Sequence, residues 1–332
     1  MAISDIINPE VLGRITMEKL TSMLPNLVGV DTSDEFTLPT PGTSWKIPYN
    51  KAVAAFTRDG EGVTLTPQAV GQDFFQSVVQ RAAQAYKLPD IDQLVAAYNP
   101  RAGLTMDQII DRKIDEMAAG IAGQAMTYLT QRRIDVLEGG IPSANRLSVI
   151  SSGTITAAYV AAAKALLGDK QDALKYVLMN SKVYIDAQKG GYISWQPASQ
   201  ILNLYGTQVN QLGAPAAGLV PTIGGMQIVV SDLAASVSTS PTGYATYLLS
   251  EYSMGFYYQR ALQTTFAPRE ELVDGGYDTA VARMDFVMAL HGSSYTESTN
   301  PQVYTSAALK TTSNWTLKWN QKNVGAVRLL SQ

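Results

Sequence analysis

Between Thr105 and Pro142 the chain carries one uninterrupted helical pattern. Thr105 followed by Gln108 has the spacing of a capping box, in which the threonine hydroxyl and the glutamine side chain each satisfy an N–H group at the helix start. Ile110, Ile114, Met117, Ile121 and Tyr128 then recur at helical intervals. Gly139-Gly140-Ile141-Pro142 supplies the stop, because glycine frees the backbone and proline cannot continue the hydrogen-bond ladder. The spacing predicts a helix over 106–138. At 1.5 Å per residue it would be about 50 Å long, well beyond the usual three turns. Such a rod acts as a strut against which other layers pack. Ala118, Ala119, Gly120, Ala122, Gly123 and Ala125 let a neighbouring element approach it closely, which is read as core packing.

Around this strut the composition removes most kinds of chemistry. The 332 residues are long enough for two domains, or for one large body with excursions. Only 16% are charged against about 25% in an ordinary soluble domain, so Ser, Thr, Asn and Gln must cover much of the surface. Lys plus Arg is 25 and Asp plus Glu is 28, a net charge of −3 that excludes a broadly basic nucleic-acid binder and a strongly acidic tail. There is no cysteine, which excludes disulfides, zinc knuckles, iron–sulfur sites and thiol catalysis. His291 is the one histidine, so no centre built from several imidazoles can form within the chain. The opening Met1–Glu10 segment has no positive and apolar leader pattern, and no apolar run reaches the roughly 20 residues of a membrane helix. The expectation is synthesis in the cytoplasm with no membrane partner.

The remaining segments alternate. Residues 1–44 read as an extended arm with one short helix, Pro9–Leu24, ending in Leu38-Pro39-Thr40-Pro41-Gly42. Trp45, Ile47 and Tyr49, then Val63 and Leu65, then Phe74 to Val79 follow strand patterns about the polar tip Arg58-Asp59-Gly60-Glu61-Gly62, which predicts a long β-hairpin. Tyr86–Asp92 reads as a bend and Asp92–Tyr98 as a short helix. From Thr154 the signals alternate as in a separate α/β body: helix Thr156–Leu167, strand Leu174–Met179, and helix Lys182–Lys189 capped by Asn180 or Ser181. Loops from Trp195 to Pro221 then lead to strands at Ile228–Asp232 and Ala245–Leu249. A second long hairpin, Leu262–Pro268 and Thr279–Leu290, turns around Asp274-Gly275-Gly276, and Val324–Leu330 closes the chain as a strand.

No motif for catalysis emerges. His291-Gly292-Ser293-Ser294 is the one place where histidine and serine meet, without a nucleophile-elbow pattern. Gly190-Gly191, Gly224-Gly225 and Gly275-Gly276 are turn glycines, not a phosphate-binding fingerprint. Asp31/Asp34/Glu35, Asp90/Asp92 and Glu270/Glu271/Asp274 are the carboxylate clusters that could meet a hard cation, and none has EF-hand spacing; solvated loop charge is the reading favoured for each. Arg112-Lys113 and Arg132-Arg133 lie on the long helix beside Asp111, Asp115, Glu116 and Asp135, which points to salt-bridged faces.

The order of these parts (arm, long hairpin, very long helix, inserted α/β body, returning hairpin) resembles the major capsid proteins of tailed bacteriophages with the Hong Kong 97-type fold. Local phrases resemble the family too: Leu65-Thr66-Pro67-Gln68 with Gly71 to Arg81, Leu178-Met179-Asn180-Ser181-Lys182-Val183-Tyr184, in which Asn180 stands where the family often has histidine, Ile223–Asp232, and Asn314-Trp315 with Lys322-Asn323-Val324. The resemblance spans roughly residues 45–330. It implies an α+β, Hong Kong 97-like capsid fold. Its parts would be an N-terminal arm (1–44), an E-loop hairpin (45–85), a P-domain (86–152) with its spine helix at 106–138, an A-domain (153–263), and returning P-domain strands with the C-terminal segment (264–332).

The function implied is a structural shell subunit that self-assembles into the icosahedral head of a tailed phage around double-stranded DNA, with no enzyme activity, cofactor or metal. Its partners would be itself, in hexamers and pentamers, a separate scaffolding protein, a portal protein, a decoration protein, and packaged DNA contacted non-specifically. Its place would be the virion. Long thin elements cannot bury both faces within one subunit, so the hairpin residues Lys51, Phe56, Arg58, Asp59 and Glu61 are the expected inter-subunit contacts. Lys46 and Lys51 lie in or near the hairpin, and no motif assigns either to a covalent cross-link. The competing readings are an encapsulin-like nanocompartment shell, a hydrolase or sugar-binding enzyme using a carboxylate pair with Trp195 and Tyr205, and a phage tail or adhesion protein.

Overall fold

The computed structural model describes residues 9–24, 27, 29–31, 44–50, 72–88, 105–197, 219–234, 236–239, 242–267, 278–296 and 304–332. In chain order the elements are α1 (Pro9–Met23), β1 (Val30–Asp31), β2 (Ser44–Asn50), β3 (Gln72–Leu88), α2 (Met106–Gly140), β4 (Arg146–Ser148), α3 (Ala157–Ala165), β5 (Leu174–Met179) and α4 (Ser181–Lys189). There follow β6 (Ser194–Pro197), β7 (Leu219–Ile223), β8 (Met226–Val230), β9 (Ser236–Thr239), β10 (Thr242–Ser250), β11 (Met254–Ala267), β12 (Asp278–Leu290), β13 (Ser293–Tyr295), α5 (Ser306–Lys310), β14 (Trp315–Leu317) and β15 (Ala326–Ser331).

The long helix starts as its sequence dictates. Gln108 N donates to Thr105 Oγ1 at 3.4 Å, and Thr105 N donates back to Gln108 Oε1 at 3.1 Å. It ends at Gly140, two residues beyond the predicted stop, with Ile141 N still donating to Leu137 O. Against it lies a five-stranded sheet in the order β1-β11-β12-β3-β2, whose long central strands are antiparallel. Alternation along β12 sends Ala280, Ala282, Met284, Phe286, Met288 and Leu290 into the core shared with Ile121, Ala125, Leu129 and Ile134 of α2. The first half of α2 is covered by α1, which inserts Leu12 and Leu20 into the same core and holds Asp115 through Lys19 at 2.8 Å.

The second core belongs to the sheet β4-β15-β10-β5-β8-β7-β6, where β9 adds to β10. Val177 and Met179 of β5 pack with Val160 and Ala163 of α3 and with Val183 and Ala187 of α4. Thr156 caps α3, and Asn180 caps α4 by accepting from Lys182 N at 2.9 Å while its own amide donates to Ala234 O at 3.1 Å. Asn180 thus clamps the start of α4 to the chain after β8.

Several elements differ from the expected ones. Strand β3 continues to Leu88, through part of the predicted bend, because Arg81–Lys87 pair with β12 along Thr279–Asp285. The strand entering the second hairpin begins at Met254 rather than near Leu262. The segment expected to be loops between Trp195 and Pro221 contains β6 at one end and β7 at the other, paired antiparallel. The stem of the first hairpin is antiparallel from Ser44↔Val78 to Asn50↔Gln72. The predicted helix Asp92–Tyr98 and the turn at Asp274-Gly275-Gly276 lie outside the described residues.

Candidate functional site

The five residues expected to contact other subunits, Lys51, Phe56, Arg58, Asp59 and Glu61, lie outside the described residues. So do Tyr205, Asp34, Glu35, Asp90, Asp92, Glu270, Glu271 and Asp274, while Asp31 is described only in its backbone, paired with Gly255. Among the described residues no group of three or more His, Asp or Glu is placed to hold a metal ion. Trp195 is exposed on β6.

The histidine–serine segment is built for structure. His291 Nδ1 lies 3.0 Å from the Tyr252 carbonyl, and its ring meets Phe75 edge-on at 5.8 Å and Trp319 at 6.4 Å. Ser293 Oγ, 2% exposed, donates to Gly140 O at 2.8 Å, and Ser294 Oγ accepts from Gln76 N at 3.0 Å. Each hydroxyl is committed to a backbone group on a different element. The segment ties the end of α2 to β3 and β13.

Charge is concentrated where α2 meets the second sheet. Glu138, on the last turn of α2, receives Arg328 of β15 at 2.8 Å on one carboxylate oxygen and the Tyr247 hydroxyl of β10 at 2.7 Å on the other. Arg146 of β4 donates to the Glu138 and Gly139 carbonyls through Nη2 and to the Ile141 carbonyl through Nε at 2.9 Å. A helix C-terminus leaves carbonyls without partners and a partial negative charge, and a guanidinium answers both. Burial, with Glu138 adding to it, raises the Tyr247 hydroxyl pKa well above the ordinary tyrosine value. Burial also lowers the Arg146 pKa, against an opposing pull from Glu138. Because Arg146 and Arg328 are paired across β4 and β15, the helix end is held by adjacent strands of one sheet.

A second cluster lies one turn earlier. Asp135, fully buried, accepts from Gln131 at 3.0 Å and faces Arg132 at 3.4 Å and Lys310 of α5 at 3.4 Å. Arg132 also donates to Ser306 Oγ at 3.2 Å and stacks over Tyr128. The reading of Arg132 as salt-bridged is borne out, although the pair is interior to the fold. Arg133 is buried as well, and burial alone lowers its pKa to about 10. Sequence reasoning missed Glu138, Arg146, Tyr247 and Arg328. The available signal was the density of charge at 131–138, just where apolar spacing fails and the helix is enclosed on all sides.

What this arrangement does is mechanical: two charge clusters and a glycine stop fix the direction of a 35-residue helix relative to two sheets. No protein-family model matches the chain, and no curated protein matches it by sequence. Solved structures do match. The capsid of Ralstonia phage GP4 superposes over 92% of this chain and 85% of its own with TM-score 0.50 at 10% identity. A structure from Mycobacterium phage Bobi covers 89% and 88% with TM-score 0.52 at 9% identity. The holo-SrpI encapsulin complex from Synechococcus elongatus PCC 7942 covers 92% and 85% with TM-score 0.48 at 8% identity. The mixed helix-and-sheet fold is therefore a phage capsid fold, as the order of parts in the sequence implies.

Proposed function

We propose that this chain is the subunit of a self-assembling shell, the major capsid protein of a tailed-phage head enclosing double-stranded DNA. The observation that carries the reading is that the far half of the β3–β12–β11 ribbon is covered on one face only. Ala280, Ala282 and Met284 pack inward, whereas Arg81, Ala83 and Ala85 of β3, Arg283 of β12 and Gln263 and Thr265 of β11 are exposed on the other face. A long, thin ribbon of this kind gains its missing layer from neighbouring copies, and a closed symmetric shell gives every copy the same neighbours. The shared capsid fold supports the same conclusion.

On this reading residues 1–44 are the arm, 45–85 the E-loop, 86–152 and 264–332 the P-domain and its returning strands, and 153–263 the A-domain. The copies would assemble as hexamers and pentamers with a scaffolding protein and a portal, and a decoration protein could attach outside. The protein's role would be structural, with no reaction catalysed. The charged hairpin tip would lie across a neighbour, so Arg58→Ala with Asp59→Ala is expected to block assembly and leave the subunit folded.

The test is sedimentation and negative-stain microscopy of the expressed protein, alone and with a candidate scaffolding protein. Closed shells from the natural chain, lost in the double variant, are expected. Normal shells from the variant overturn the role of the tip, and a monomer or dimer under both conditions overturns the shell. Shells that carry a cargo enzyme in place of DNA would make this an encapsulin-like compartment.

A further inference from the structure

One face of the ribbon carries a charge pattern that the core does not require. Residues opposite each other on adjacent strands share a face, so the register places Arg81, Asp285 and Arg260 in one row and Ala83, Arg283 and Gln263 in the next. Ala85, Val281 and Thr265 form a third row. The opposite face carries Ala282, Met284 and Phe286 and packs toward α2. Asp285 is 8% exposed and pairs with Arg260 at 3.5 Å, which accounts for both of those charges. Arg81 and Arg283 are exposed, and neither makes an ion pair among the described residues. Around them Ala83, Ala85 and Thr265 keep the face low.

We infer that this face is an interface between copies of the chain, where Arg81 and Arg283 receive carboxylates of a second copy. The inference rests on the shell reading and adds the surface and chemistry of one of its contacts. A nucleic-acid backbone is the alternative anion, and magnitude decides against it. Two free guanidiniums neutralise about two phosphates, giving a salt slope near −2 and little affinity at physiological salt. A carboxylate fits a guanidinium as a two-bond fork, arginine is enriched at protein interfaces, and a low face lets a second backbone come close. The chain carries 28 Asp and Glu against 25 Lys and Arg, so every copy holds carboxylates in excess of its own cations.

The test compares the natural chain with Arg81→Glu/Arg283→Glu, assembled under the same conditions. The variant is expected to keep its far-UV circular dichroism and melting temperature and to lose at least about tenfold in shell yield. Shells at the natural yield overturn the interface and leave the shell reading standing. Failure of the natural chain to form shells overturns the shell reading, and the interface with it.

A second measurement covers a variant that fails to fold. The chain has no cysteine, so Ala83→Cys carries a benzophenone maleimide at one position. In particles mixed from isotopically labelled and unlabelled subunits, cross-links joining the two labels at Asp- or Glu-bearing peptides are expected. Cross-links confined to one subunit, or to nucleic acid, overturn the interface.

Discussion

At the scale of single residues, space and burial decide more than chemistry. Gly139 has no room for a side chain: a Cβ there would collide with the Leu309 carbonyl oxygen and the Trp315 indole, which are themselves joined by a 2.8 Å hydrogen bond. Backbone cannot rotate away, so Gly139→Ala is expected to cost at least about 2 kcal/mol in urea unfolding, in the upper part of the overpacking range. Tyr258 makes the opposite prediction. Its hydroxyl is buried without a hydrogen-bond partner among the described residues, and burial raises its pKa. Tyr258→Phe removes an unsatisfied polar group and should stabilise the fold at neutral pH by about 1 kcal/mol.

Tyr258 and Tyr247 also set the alkaline limit. Both are raised, so the unfolded chain loses these protons near pH 10 while the folded chain keeps them, and stability falls as pH rises above 10 by up to about 1.4 kcal/mol per unit for each. Arg133 opposes this. Its pKa is lowered to about 10, so between there and its unfolded value the folded chain gives up the proton first and gains stability. Tyr86, raised by burial, adds to the loss and Arg146, lowered by burial, adds to the gain, so three tyrosines against two arginines leave a net loss above pH 10. Urea midpoints from pH 8 to 11 should therefore fall less steeply for Tyr258→Phe, and parallel curves would contradict the assignment.

At the scale of elements, the long helix is the organising part, and its two ends differ in how clearly the sequence announces them. Thr105, Gln108 and the glycine–proline stop mark it because caps and breakers act locally. The long hairpins are visible for the same reason, since period-2 alternation is a local signal. The far part of β3 is hidden because Arg81–Lys87 is rich in Ala and has no β-branched residue, and only pairing with β12 makes it a strand. Strands β6 and β7 are separated by more than 20 residues, so nothing local joins them. The joint at Glu138 was illegible for a stronger reason. Charges at 131–138 look like a solvated helix face, and they are interior because β4, β10, β15 and α5 arrive from distant parts of the chain.

That joint makes its own prediction. Glu138→Gln keeps an acceptor for Tyr247 but leaves Arg328, 13% exposed, beside no anion, and losing one partner of a buried pair should cost about 3 kcal/mol. Equilibrium unfolding by urea measures it. A loss under about 1 kcal/mol would mean that the pair is screened and that the Arg146 contacts to the helix carbonyls hold the joint alone.

At the scale of the whole molecule, two cores are fixed to one rod, while a ribbon packed on the rod along one face leaves the other face exposed. On the proposed reading the rod and cores give each copy one shape, and the ribbon's outer face offers surface to other copies. The lone histidine and its serines tie strands together, and the buried charges hold the angle between helix and sheet. On this account folding and assembly are consecutive uses of the same elements, so the isolated subunit should be folded in its cores before it meets a neighbour.

The most direct measurement is a cryo-electron microscopy reconstruction of particles purified after co-expression with a candidate scaffolding protein. The account predicts a closed icosahedral shell in which every subunit carries the Met106–Gly140 helix and its ribbon lies against an adjacent copy. Particles whose ribbons leave the outer face, the one that carries Arg81 and Arg283, open to solvent, or a sample holding only monomers and dimers, would contradict it.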